Sequence, residues 1–322
     1  MVSEQLPPGT SFELRLSARG GSTDSAIEQF CNAIRESDFS QVSQWTDEVE
    51  LLNFLADSVQ SARYWQDPDE IDRILADPLV AEELRAVADV IASAPASAWW
   101  SSAMPPTEQV FIDWHPRGSQ PPTFEGTRTT LRNWQQGVLA DEAMLRGSSW
   151  WSPPIEPSLA ETTRHLPNLG AVALLLQEDG CGDIAGDCWT VRCRRQPRVC
   201  EVSGAKEWIE LVERYALEIS SSRADAWRAA TGLDGRWFIP DWSRVGEDFD
   251  AVHLSIGGYL STSGRALLLG EGKATFLAGW DPDKSFWLTD ILELSGSPVE
   301  WVSTRFSPSR AWQAAGPDEE RI

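Results

Sequence analysis

Lysine and histidine are nearly missing from this 322-residue chain: Lys206, Lys273 and Lys284 are the only lysines, and His115, His165 and His253 the only histidines. So few histidines argue against a histidine-rich metal centre. Long apolar runs are also lacking, and none approaches the roughly 20 residues that cross a bilayer. Met1 to Leu16 has neither the basic start nor the apolar stretch of a secretory leader. A cytoplasmic protein without a membrane span is expected. Several catalytic signatures are absent as well: G-x-x-x-x-G-K-S/T, G-x-G-x-x-G opening a helix, G-x-S-x-G and H-E-x-x-H.

Positive charge is short overall. Against 27 basic residues stand 49 acidic ones, a formal charge of −22, and such a field repels phosphate backbones and anionic membrane surfaces. General nucleic-acid binding is disfavoured, although a locally less acidic cleft can still admit a phosphorylated small molecule. The remaining composition, 42% hydrophobic and 24% charged, is that of a globular chain with one large core or two smaller ones.

There are five cysteines, Cys31 alone and then Cys181, Cys188, Cys193 and Cys200. The latter four are too widely spaced for the paired knuckles of a zinc site, and an odd count without a leader argues against a disulfide framework. No metal is expected, and Cys188, Cys193 and Cys200 read as small apolar residues on adjacent strands. Tryptophan is the excess: 17 residues, each with an indole N–H that needs a partner when buried.

Residues 1–147 read as a mainly helical, acidic region. After a short strand candidate at 12–17, helices are expected at 24–35, from 47, from 68 and at 80–93, with apolar residues at helical spacing. A Pro/Ser/Gly-rich connector carries a strand at 109–114, and a long helix follows at 127–146. Residues 148–322 read as an α+β domain. Strands are expected at 171–176, 189–193, 198–202, 251–256, 265–269, 275–278 and 285–289, with helices at 205–215 and 223–230. The fold class expected for the whole is α+β, the helical region packed on a mixed β-rich domain. The acidic side chains lie between the apolar positions of the helices, as on a solvated face, or else form a surface for a protein partner.

Three features of the second half could carry chemistry. Trp237, Trp242, Trp280 and Trp287 stand near Asp241, Asp281 and Asp283, where rings could stack on a ligand while carboxylates accept its hydroxyls; equally, these are core residues and turns. Trp99-Trp100 and Trp150-Trp151 read as locks between subdomains, and Arg164 behind the second pair could clamp an anion. His253, on an expected strand, is the histidine best placed to enter a site.

The third is Gly257-Gly-Tyr-Leu-Ser-Thr-Ser-Gly264, in which glycines allow close backbone approach and Ser261, Thr262 and Ser263 supply hydroxyls. A Ser-Thr-Ser on a strand resembles the element that supports the nicotinamide pocket in ADP-ribosyltransferases of the Arg-Ser-Glu class. The resemblance implies NAD as substrate, Arg198 or Arg164 on its phosphates, and Ser261 to Ser263 at the nicotinamide ribose. It further implies Glu293 or Glu300, with Glu300 preferred, stabilising the ribosyl cation. In place of the family's Glu or Gln two residues before that carboxylate stand Ile291 and Pro298. Phrases of this half also resemble tryptophan-rich bacterial proteins of no known activity. The function expected is thus a NAD-consuming, ADP-ribosyltransferase-like enzyme with a nucleotide-type substrate. Its alternative is a non-catalytic protein-binding or immunity-type chain.

Overall fold

The computed structural model describes residues 23–62, 64, 66–114, 122–144, 149–178, 185–303 and 312–315. The strand expected at 12–17, together with His115, Leu145 and Cys181, lies outside them. The protein is α+β, with helices in its N-terminal part and mixed sheets in its C-terminal part. No helix among the described residues is long and apolar enough to cross a membrane.

The described chain opens with helices α1 (Thr23–Glu36), α2 (Glu48–Gln60), α3 (Glu70–Leu75) and α4 (Pro78–Ser93). Local chemistry sets their starts: the Asp47 carboxylate accepts the backbone N–H groups of Val49 and Glu50, and Asp69 forms a reciprocal capping box with Asp72. Strand β1 (Gln109–Asp113), helix α5 (Thr127–Met144) and strand β2 (Glu161–Arg164) follow. Then come β3 (Ala185–Cys193), β4 (Val199–Val202), α6 (Ala205–Arg214), β5 (Ala216–Glu218) and α7 (Ser220–Thr231). Next are β6 (Arg236–Pro240), α8 (Trp242–Asp248), β7 (Ala251–Leu254), α9 (Ile256–Thr262), β8 (Ala266–Gly270) and β9 (Lys273–Phe276). The last are β10 (Lys284–Trp287), β11 (Leu292–Ser303) and β12 (Trp312–Ala314).

Contacts divide the chain into two compact units, Met1–Gln44 with Pro68–Ser93, and Trp45–Asp67 with Ala94–Ile322. A boundary at residue 147 is therefore not where the contacts part, because β1 is hydrogen-bonded between β2 and β3. In the first unit Cys31, Ile74 and Val80 form a small core flanked by Ile27, Phe30 and Leu84.

The second unit is built on an eight-stranded sheet of order β12-β11-β3-β1-β2-β10-β7-β4, antiparallel except for β4 beside β7. A four-stranded sheet, β5-β6-β9-β8, accompanies it. The register places Val110, Thr163, Lys284, Leu254 and Val202 in one row, and Phe111, Thr162, Ser285, His253 and Glu201 in the next. Successive rows point to opposite faces. The second row's face carries the cluster of Met104, Val191, Ala251, Trp287 and Leu292.

Four of the 17 tryptophans form the centre of this packing. Trp208, Trp242 and Trp280 meet one another and, through Trp280, Phe286, with ring centroids 5.0–6.3 Å apart. Three N–H groups join distant segments, Trp208 donating to Thr275, Trp242 to the Ser152 carbonyl and Trp287 to Thr162, while Trp280 donates to the Lys284 carbonyl within its own turn. Each ring thus fills volume, and three of the four tie two stretches of chain together.

Candidate functional site

The residues expected to hold NAD are not gathered by this fold. Arg198 precedes edge strand β4, whereas Glu300 lies on β11 opposite Asp187. Five strands stand between β4 and β11, roughly 29 Å of sheet at about 4.8 Å per strand. Arg198 binds Asp250 through its backbone N–H and its guanidinium, which it shares with Arg195. These contacts hold the Asp250 carboxyl far below the ordinary carboxylate range against the opposing effect of burial. Glu293 is gripped by Arg192 and Arg194.

The Ser-Thr-Ser motif closes a helix and is not a strand. Ser255 caps α9 by accepting the Gly258 N–H, and the Ser261 hydroxyl donates back to the carbonyls of Gly257 and Gly258. Thr262 is buried at the helix end, and its hydroxyl and that of Ser263 have no hydrogen-bond partner among the described residues. Glycine at 258 serves contact between helix and sheet, since a Cβ there would lie 2.1 Å from the Val202 carbonyl oxygen. Trp280 is fully buried and offers no open stacking face.

The cysteines expected on adjacent strands are far apart: Cys188 and Cys193 lie on β3 and Cys200 on β4. Burial pushes the Cys188 thiol up to about 12 and that of Cys200 up to about 11. Among the described residues no group of three or more His, Cys, Asp or Glu is placed to hold a metal.

Two of the expected residues, Arg164 and His253, do meet. Asp283 accepts the Arg164 backbone N–H at 2.8 Å and faces its Nε at 3.4 Å, while His253 Nε2 lies 3.3 Å away. On its other side His253 Nδ1 is 2.6 Å from Glu201, which also accepts the Met104 N–H. Burial disfavours the charged imidazole, yet the hydrogen bonds to Asp283 and Glu201 outweigh it and raise His253 to about 9. The Arg164 guanidinium is already engaged by Ser102, the Ala103 carbonyl and the Trp99 ring. With His253 and Asp283 only 1% and 2% exposed, this is an internal ion network.

An open cleft of about 350 Å³ lies in the second unit, lined by residues of the row that holds Val110, Thr163 and Lys284. Val110, Ile112 and Trp114, at and just beyond β1, form an apolar wall; Glu161 and Thr163 from β2, Lys284 from β10, and Gln177, Glu178 and Asp281 line the remainder. The Lys284 ammonium reaches both Glu161 Oε2 and Asp281 Oδ2 at 2.7 Å. Burial favours the neutral amine, but those two carboxylates prevail and hold the ammonium above its ordinary range. Asp281 also accepts the Glu178 N–H, and Glu178 Oε2 accepts that of Trp280. Burial, helped by the charge of Asp281, pushes the Glu178 carboxyl well up. Among the described residues its Oε1 has no hydrogen-bond partner.

Of this set, sequence reasoning singled out only Asp281 as a carboxylate and Lys284 as a rare lysine. Lysine 284 in an arginine-dominated chain was the available signal; Glu161 and Glu178 carry none, because the sequence around them does not show that their segments meet. No protein-family model, curated protein or solved structure matches this chain.

Proposed function

We propose that the second unit is a small-molecule enzyme whose substrate sits in the cleft between β1, β2 and the Asp281–Lys284 turn, with Glu178 as proton donor. One observation carries this reading: Glu178, whose carboxyl burial and the charge of Asp281 push well up, lines a cleft that Glu161 also lines. A carboxyl whose hold on its proton is strengthened, standing at a cleft with a second carboxyl, is equipment for general acid catalysis. Glu161 engages Lys284 through Oε2, leaving Oε1 to receive a proton.

Carbon-13 titration of the glutamate carboxyls tests the reading. One resonance is expected to titrate well above the others and to vanish in Glu178→Gln. If Glu178 titrates with the exposed glutamates, the proposal falls.

ADP-ribosyl transfer from NAD is the competing proposal. Its Arg198 and Glu300 belong to strands separated by five others, and acidic side chains around the open cleft repel a pyrophosphate. Nicotinamide release that is lost in Glu300→Gln would reinstate it; no release removes it.

A non-catalytic, protein-binding role has an observation of its own in the first unit, where Ile71, Leu75 and Leu79 are exposed on α3 and at the start of α4. Under that reading Glu178→Gln leaves the biological activity of the chain unchanged.

A further inference from the structure

We infer that the ligand of the cleft is an uncharged polyhydroxylated ring, with one apolar face and vicinal hydroxyls. This rests on the cleft being the working site. Val110, Ile112 and Trp114 offer a surface on which the C–H face of such a ring packs. The same cleft is lined by polar side chains that can donate and accept. Lys284 commits two of its three N–H groups to Glu161 and Asp281, leaving one to donate. Glu161, engaged by Lys284 through Oε2, has Oε1 left to accept. A hydroxyl-bearing ligand matches both functions, since each hydroxyl gives and receives a hydrogen bond.

Charge narrows the class further. An anion would meet Glu156, Glu161 and Asp281, whereas a cation would meet an ammonium that already occupies both neighbouring carboxylates. The volume of about 350 Å³ lies near the lower end for small-molecule sites and suits one ring or a nucleoside rather than a dinucleotide. Free sugars and the ribose of nucleosides share the same diol chemistry.

Saturation-transfer NMR on the full chain separates these sources. The probes are glucose, galactose, ribose and adenosine, with arginine and AMP as charged controls. Saturation is expected on the ring C–H protons of at least one uncharged polyol. A sugar signal without adenosine assigns a free sugar, and adenosine alone assigns a nucleoside. Affinity should fall about tenfold in Glu161→Gln and in Trp114→Ala, the loss expected for one hydrogen bond or one stacking face, with the far-UV circular dichroism retained. Binding of arginine or AMP without a polyol overturns the ligand class while leaving an occupied cleft. Polyol binding that survives both substitutions overturns the location, and silence from every probe overturns the inference. The carboxyl titration of Glu178 is independent of all these outcomes, so the two proposals fail separately.

Discussion

Asp283 and Lys284 are adjacent in sequence and belong to different ion networks. The Asp283 carboxylate joins Arg164 and His253, whereas the Lys284 ammonium joins Glu161 and Asp281 in the cleft. Asp283 adopts a left-handed backbone, φ 57°, at the turn where the two networks part. The internal network thereby anchors the turn that carries two cleft residues, Asp281 and Lys284.

Replacing Lys284 with Met leaves Glu161 and Asp281 facing each other without their shared cation. A loss of about 3 kcal/mol is expected at pH 7, the scale for breaking a largely buried ion pair. Urea unfolding at pH 7 measures it; an unchanged midpoint would refute the shared-cation arrangement.

His253 contributes in the alkaline direction. Its folded value of about 9 exceeds the ordinary value of about 6.5. Its stabilisation is therefore complete below pH 6.5 and is lost as pH rises through 9. The total is roughly 3 kcal/mol. His253→Gln should be less stable than the native chain at pH 6 and converge with it near pH 10. A difference that does not change with pH would rule out a charged imidazole.

For Glu178 the raised folded value has the same sign. Its neutral form is accommodated at low pH, and stability declines as pH rises through the elevated value. Glu178→Gln removes that decline, so the variant should match the native chain near pH 4 and exceed it at pH 8. Thermal unfolding across this interval provides the measurement, and a variant weaker at pH 8 contradicts the assignment.

Gly279 is expected to resist substitution. Its φ is 75°, and a Cβ would lie 2.3 Å from the Trp151 ring. Gly279→Ala should cost about 2 kcal/mol or more from backbone strain and displaced indole. A Tm unchanged from the native chain would show that Trp151 gives way freely.

Elements with their own local chemistry were legible in the sequence. The start of α2 could be read from Asp47, and β1 from Gln109-Val-Phe-Ile-Asp113. Residues 171–176, a continuous apolar run, were expected as a buried strand but contain the 3-10 turn Val172–Leu174; burial on all sides erases the period that distinguishes helix from strand. The glycine pair at 257–258 concealed helix α9, where contact with the Val202 carbonyl overrides glycine's weak helical preference. Strand β11 was missed because its residues are mostly half-buried or exposed, and its pairing with β3 breaks register between Ser295 and Val299. The cleft was largely illegible for a topological reason: β2 and β10 supply Glu161 and Lys284 from positions far apart in the chain.

The strand order also bears on how the chain must be made. β2 cannot acquire its neighbour β10 until residue 287 has been synthesised, more than a hundred residues after β2 itself. During that interval β2 presents an open hydrogen-bonding edge, a template for pairing with other chains, and contacts this distant in sequence form slowly. A chain stopped before β10 is thus expected to aggregate rather than to remain as a smaller folded protein.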